Sequence, residues 1–208
     1  MNVGVLASGE GTNLQAILDR VHGREGIAVV AVGSDKPEAR ALERARAAGV
    51  AARVFAREER SDRRARDDHL AAWLVECGVE LVVLAGYMRL LAPEFLARFP
   101  QRVINVHPAL LPAFPGIGAV EQALAYGVKV FGVTVHLVDA GVDTGPVIAQ
   151  RALDLPDAED AETVRAALRP LEHDLTCSVV RLIAAGAVAV DHANPRRVRV
   201  APLYRAPG

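Results

Sequence analysis

Two polar residues stand where an apolar run stops: in "VINVHPALLP" (residues 103–112), Asn105 and His107 end a buried-looking segment just before a proline-bounded turn. In an extended chain, residues two apart point to the same side. An amide beside an imidazole can hold a developing oxyanion while the ring handles a proton near neutral pH. Taken alone, His107 can equally cap the turn before Pro108, and Asn105 can satisfy backbone groups. A second stretch, "VDAGVDTGPV" (residues 138–147), places Asp139 and Asp143 in a polar loop between apolar runs. A carboxylate near His107 would stabilise an imidazolium, orient water or relay a proton; equally, Asp143 can simply close the turn before Gly145 and Pro146. Spacing does not choose between these.

The third stretch is "LASGEGTNLQAIL" (residues 6–18). A strand runs into Gly9 and Gly11, and Thr12 or Asn13 is the expected N-cap of the following helix. Such a turn aims backbone N–H groups and the positive helix end at one point, which suits a phosphate; a plain strand-to-helix turn would need glycine as well. Gly9 and Gly11 also fit the first two positions of a dinucleotide fingerprint, with Asp35 as the ribose-binding acid. Leu14 occupies the third glycine position, against that reading. No P-loop sequence and no Gly-x-Ser-x-Gly elbow is present. His107, His136 and Asp143 could in principle converge on a metal, but no HxH, HExxH or paired-cysteine spacing occurs, so no metal is expected.

These residues need a scaffold, and the chain supplies strands alternating with helices. "NVGVLA" (2–7), "IAVVAVG" (27–33), "AARVF" (51–55), "ELVVLAG" (80–86) and "RVINV" (102–106) are short, apolar and rich in valine. Helical stretches with one charged face lie between them, at residues 14–20, 38–48 and 61–77. That alternation predicts βαβ crossovers and an α/β, doubly wound, mostly parallel sheet covered on both faces. "KVFGVTVHLV" (129–138) and "GPVIAQRALDL" (145–155) then predict an antiparallel extension after the fifth strand, with "DAGVDT" as the hairpin loop. Residues 159–185 read as one long helix, bent at Pro170. Residues 186–208 read as a surface tail with a weak strand near Val198.

The bulk properties agree with a single domain over residues 1–208: a phosphate-binding half (1–100), a catalytic half (101–185) and the tail (186–208). The charges nearly cancel, 24 Lys plus Arg against 25 Asp plus Glu. No nucleic-acid or membrane surface is therefore expected, and any anionic ligand must be held locally. Cys77 and Cys177 sit in apolar helical contexts and read as two buried thiols. With no leader and no membrane-length apolar run, the expected location is the cytoplasm. A homodimer is the commonest assembly of such chains and is left open.

With the three stretches assembled, the chain resembles the folate-dependent formyltransferases of the phosphoribosylglycinamide formyltransferase family over almost its whole length. The resemblance is carried by "SGEGTNLQAI" (8–17), "VVLAGYMRLL" (82–91), "NVHPALLPAFPG" (105–116), "GVTVHLVDAGVDTGPVI" (132–148) and "LEHDL" (171–175). It implies a Rossmann-like formyltransferase fold, and formyl transfer from 10-formyltetrahydrofolate, as co-substrate, to the amine of glycinamide ribonucleotide in purine biosynthesis. No tightly bound cofactor is implied. By position, Asn105, His107 and Asp143 match the catalytic trio, and Gly11, Thr12 and Asn13 match the turn for the substrate phosphate. Arg169 and Glu172 match contacts to the ribonucleotide. Arg63, Met88, Arg89, Leu90, Leu91, Asn105, Asp139, Ala140, Gly141, Val142 and Asp143 match contacts to the folate. Ala113, Gly118 and Thr144 depart from the family pattern, the last in a way expected to restrict the catalytic loop.

A formyltetrahydrofolate hydrolase would share the trio but usually carries a domain ahead of it, whereas this chain begins at the first strand. A methionyl-tRNA formyltransferase would need a further basic domain. A nucleotide-binding regulatory module without catalysis would have no reason to bring His107 and Asp143 together.

Overall fold

The strand-forming and helix-forming stretches alternate as their valine runs and charge patterns dictate. A computed structural model describes residues 1–56 and 63–201 of the chain. In chain order the elements are β1 (Asn2–Leu6), α1 (Thr12–Arg20), β2 (Ala28–Ser34), α2 (Arg40–Ala47), β3 (Ala51–Val54), α3 (Arg63–Glu76), β4 (Leu81–Leu84), α4 (Pro93–Arg98), β5 (Val103–His107), α5 (Ala119–Tyr126), β6 (Val130–Leu137), β7 (Val147–Asp154), α6 (Ala161–Ala184), β8 (Val188–Val190) and β9 (Val198–Val200). The strand order is β3-β2-β1-β4-β5-β6-β7, with β8 and β9 as a separate antiparallel pair. The first five strands pair in parallel, and β6 with β7 antiparallel. The predicted class and its antiparallel extension are therefore as observed.

The chain divides into two compact units: residues 1–105 with 138–140, and residues 106–137 with 141–208. In the first unit, β4 is buried along its whole length, the signature of a strand covered on both faces. Leu70 and Leu74 of α3 pack with Leu6, Val82, Phe95 and Val103 in its core. Each such leucine contributes roughly 2 kcal/mol by leaving water. Helix α1 buries Leu14, Ile17 and Leu18, and α2 buries Ala41, Leu42 and Ala45, both at helical spacing.

In the second unit, β6 is buried from Phe131 to Leu137. Helix α6 turns Val164, Leu168, Leu175 and Val179 inward, and its N-terminus is capped by Asp160, whose side chain accepts the Thr163 N–H at 2.8 Å. The helix runs through Pro170, which has no N–H to offer the preceding turn.

Several boundaries differ from expectation. Thr12 begins α1 and Asn13 lies inside it, so neither is the N-cap; Gly11 is. Strand β5 extends to His107, one residue beyond the predicted end. The short helices α4 and α5 give little helical signal because each is only six to eight residues long. Cys177 is buried as expected, whereas Cys77 lies just past α3 and is half-buried. Residues 61 and 62 of the predicted third helix lie outside the described residues. The tail strand near Val198 exists as β9, paired with β8. Among the described residues no helix is long and apolar enough to cross a membrane.

Candidate active site

Gly11 shows why the turn after β1 requires glycine. Its φ is 69°, in the left-handed region, and a Cβ there would lie 2.8 Å from the Cα of Ala41 on α2. The turn is seated on α2 by two further bonds: Ala41 N–H donates to Gly9 O at 3.1 Å, and Arg44 Nε to Glu10 O at 2.8 Å. Gly9 is exposed while Asn13 is buried. The first turn of α1 finds no acceptors within the helix for its own N–H groups, and no side chain caps it. That is an opening suited to an anion.

Asp35 follows β2 as the sequence reading noted, but its carboxylate is engaged within the protein. Its Oδ1 accepts the Ser8 hydroxyl at 2.5 Å and its Oδ2 accepts Arg89 Nε at 2.8 Å. The dinucleotide reading had required that acid for a ribose. Met88, Arg89, Leu90 and Leu91 lie between β4 and α4, with Met88 and Leu90 more than half exposed and Leu91 buried. Arg63 at the start of α3 donates to Leu91 O, and the fully buried Asp67 accepts the Ala92 N–H at 2.7 Å.

His107 closes β5 and is 5% exposed. Its Nε2 lies 2.8 Å from Phe114 O, and its Nδ1 3.3 Å from Asp143 Oδ2. A carbonyl only accepts, so Nε2 carries a proton; a carboxylate only accepts too, so a proton on Nδ1 completes the second contact. Asn105 is half-buried and stands two residues ahead of His107 on the same strand.

Asp143 gathers more partners than expected. The Gly116 N–H donates to its Oδ2 at 2.8 Å, and His136 Nε2 lies 3.5 Å from its Oδ1. His136 on β6 is 2% exposed, and its Nδ1 lies 2.9 Å from Leu137 O. This second ring is thus also placed between a carbonyl and the carboxylate. A register shift in the β6–β7 pairing falls at Val135 and His136, the kind of irregularity that re-aims side chains beside active sites. Burial alone would raise the Asp143 pKa. The hydrogen bond with His136, the Gly116 N–H and the charges of His107 and His136 outweigh it, holding the group at about 2 against an ordinary 3.8. The carboxylate is therefore ionised across the neutral range.

The segment that follows His107 is fastened down. Thr134 Oγ1 donates to Ala109 O at 2.6 Å and accepts the Leu111 N–H at 3.1 Å. Gln150 Nε2 donates to Leu111 O at 2.8 Å. Leu110 fills the space a Cβ at Gly132 would need. The Leu111–Pro112 peptide is cis.

Two of the three departures acquire a local account. Gly118 has φ 73° as N-cap of α5, a conformation that favours glycine. Thr144 packs directly over Gly141, whose missing Cβ leaves the room. Ala113 is exposed, and its side chain has no structural role that explains the choice. Asp139, Ala140, Gly141 and Val142 are exposed, as is Arg169, with Glu172 half-buried one turn further along α6. Among the described residues no group of three or more His, Cys, Asp or Glu side chains could hold a metal.

A sequence profile described as formyl transferase matches residues 1–180. The chain belongs to that family. It is 46% identical over 186 residues to the phosphoribosylglycinamide formyltransferase of Mycobacterium tuberculosis, covering 89% of this chain and 86% of the relative. Against the enzyme of that name from Bacillus subtilis it is 42% identical over 178 residues, 85% of this chain and 91% of the relative. Among solved structures, glycinamide ribonucleotide transformylase 1 from Symbiobacterium toebii superposes with a TM-score of 0.92 at 47% identity, covering 97% of this chain and 94% of that one.

Within this candidate site the sequence reading missed three contributors. His136 was weighed only as a metal ligand, although its place in a buried strand seven residues before Asp143 was a usable signal. The Phe114 carbonyl and the Gly116 N–H are backbone groups, which leave no mark in a sequence.

Proposed function

We propose that this chain transfers the formyl group of 10-formyltetrahydrofolate to the glycine amine of glycinamide ribonucleotide, within one formyltransferase domain and in the cytoplasm. Family membership and the naming of close relatives support the reaction. The single observation that carries the mechanism is the His107 ring, lying between the Asp143 carboxylate and the Phe114 carbonyl.

The substrate amine attacks the formyl carbon, forming a C–N bond and moving the carbonyl electron pair onto oxygen. The Asn105 amide is the donor for that oxyanion, and the protonated His107 ring, whose own N–H groups face Phe114 O and Asp143, sets a positive charge beside it. Asp143 keeps the ring charged by placing a carboxylate against Nδ1. Collapse of the tetrahedral intermediate breaks the bond from the formyl carbon to N10, while one proton leaves the amine and one arrives at N10. The products are the formylated ribonucleotide and tetrahydrofolate, so no covalent enzyme intermediate and no tightly bound cofactor take part. Gly11, Thr12 and Asn13 receive the substrate phosphate, with Arg169 and Glu172 on the ribonucleotide. Arg63, Met88, Arg89, Leu90, Leu91 and residues 139–143 face the folate.

The test is a transformylase assay with both substrates. Formyl-folate consumption that requires glycinamide ribonucleotide, with formylated product in equal amount, is the expected result. Consumption without the amine would identify a hydrolase instead.

A further inference from the structure

Two buried carboxylates fasten the stretch between β4 and α4 from below. We infer that one of them, Asp35, is a positioning residue for the formyl-folate site, acting through Ser8 and Arg89. This rests on the reading above that Met88, Arg89, Leu90 and Leu91 face the folate.

Asp35 is only 5% exposed. A carboxylate withdrawn from water to that degree persists where both oxygens are well partnered, and both partners here lead to the same dipeptide. Ser8, itself 5% exposed, donates its hydroxyl to Asp35 Oδ1 at 2.5 Å and accepts the Met88 N–H at 2.9 Å. Asp35 Oδ2 takes Arg89 Nε at 2.8 Å. One carboxylate thus holds the backbone of Met88 through a hydroxyl and the side chain of Arg89 directly. The Ser8 N–H adds a bond to Gly86 O at 3.1 Å. At the other end, Asp67 receives the Ala92 N–H and Arg63 reaches Leu91 O. The backbone of the stretch is fixed at both ends, while the Met88 and Leu90 side chains remain 60% and 52% exposed. A rigid backbone presenting uncovered apolar side chains is a surface prepared for a ligand, and preparation of this kind lowers the ordering cost of binding.

Asp35 does not touch substrate in this scheme. It sets where Met88 and Arg89 stand. The same bonds explain why an acid follows β2 without serving a dinucleotide ribose.

Asp35→Asn preserves the shape and removes the charge that holds Arg89, so steady-state kinetics with each substrate varied in turn read the effect. The KM for formyl folate should rise roughly tenfold, the loss of a charge-assisted hydrogen bond. The kcat and the KM for glycinamide ribonucleotide should each stay within about twofold, since neither depends on this loop's position. Arg89→Ala combined with Asp35→Asn should cost little more than Arg89→Ala alone. An unchanged folate KM in Asp35→Asn, additive effects in the double variant, or a parallel rise in both KM values together with a lowered Tm would each overturn the inference. If the wild-type protein shows no amine-dependent transfer, the functional reading fails instead. A calorimetric titration with a stable formyl-folate analogue then decides: binding by wild type that weakens roughly tenfold in Asp35→Asn supports the role, and no binding, or equal binding, overturns it.

Discussion

Asp143 Oδ2 lies 3.3 Å from Nδ1 of His107, so a side chain on the loop after β6 sets a carboxylate against a ring at the end of β5. Removing that ring should strip the oxyanion of a neighbouring charge, and removing the amide upstream should strip it of a donor. His107→Ala and Asn105→Ala are each expected to lower kcat by about a hundredfold or more, with KM values held within about threefold. Rapid-quench measurement of formyl transfer checks this, and normal turnover in either variant would contradict it.

The depressed pKa of Asp143 makes a stability prediction. Its native value of about 2 lies below the ordinary 3.8, so native contacts resist its protonation. The resulting stabilisation is complete above about pH 4 and is lost as the pH falls towards about 2, by at most about 2 kcal/mol. Urea unfolding of wild type and Asp143→Asn should therefore diverge at about pH 5 and converge near about pH 2.

His136 is expected to act on the reaction through the same carboxylate. His136→Asn should lower kcat roughly tenfold, the scale of one hydrogen bond to a charged group, while leaving both KM values nearly unchanged. In a carboxyl-carbon NMR titration the Asp143 midpoint should move upward, because a contact that favours the ionised form is gone. A midpoint that stays in place would show that the ring contributes only packing.

Gly11→Ala should destabilise the protein. The left-handed backbone costs an alanine about 1–2 kcal/mol, and the new Cβ would meet the backbone of Ala41 at 2.8 Å. A fall in Tm of roughly 2–8 °C by calorimetry is expected, accompanied by a higher KM for glycinamide ribonucleotide.

Much of this scaffold was legible in the residues. The valine runs of β1, β2 and β4 and the buried leucine stripes of α1 and α3 state their own period, and the loop "DAGVDT" announced the β6–β7 hairpin. The site was legible only as candidates. Asn105, His107 and Asp143 could be named from type and spacing, but the 3.3 Å contact between the last two is a product of tertiary folding. The N-cap was misplaced because Thr12 and Asn13 have capping side chains, whereas Gly11 wins through its backbone conformation. His136 was weighed only for a metal because its contact with Asp143 is made by tertiary folding.

The seating of residues 109–111 on β6 and β7 has a consequence for anyone mapping lost activity by random mutagenesis. Gly132, Thr134 and Gln150 touch nothing that reacts, yet they set the path of the chain that carries the Phe114 oxygen behind the imidazole. Such a map should show a second cluster of damaging changes along the hairpin. Its members would be told from true chemical participants by the simultaneous loss of heat resistance.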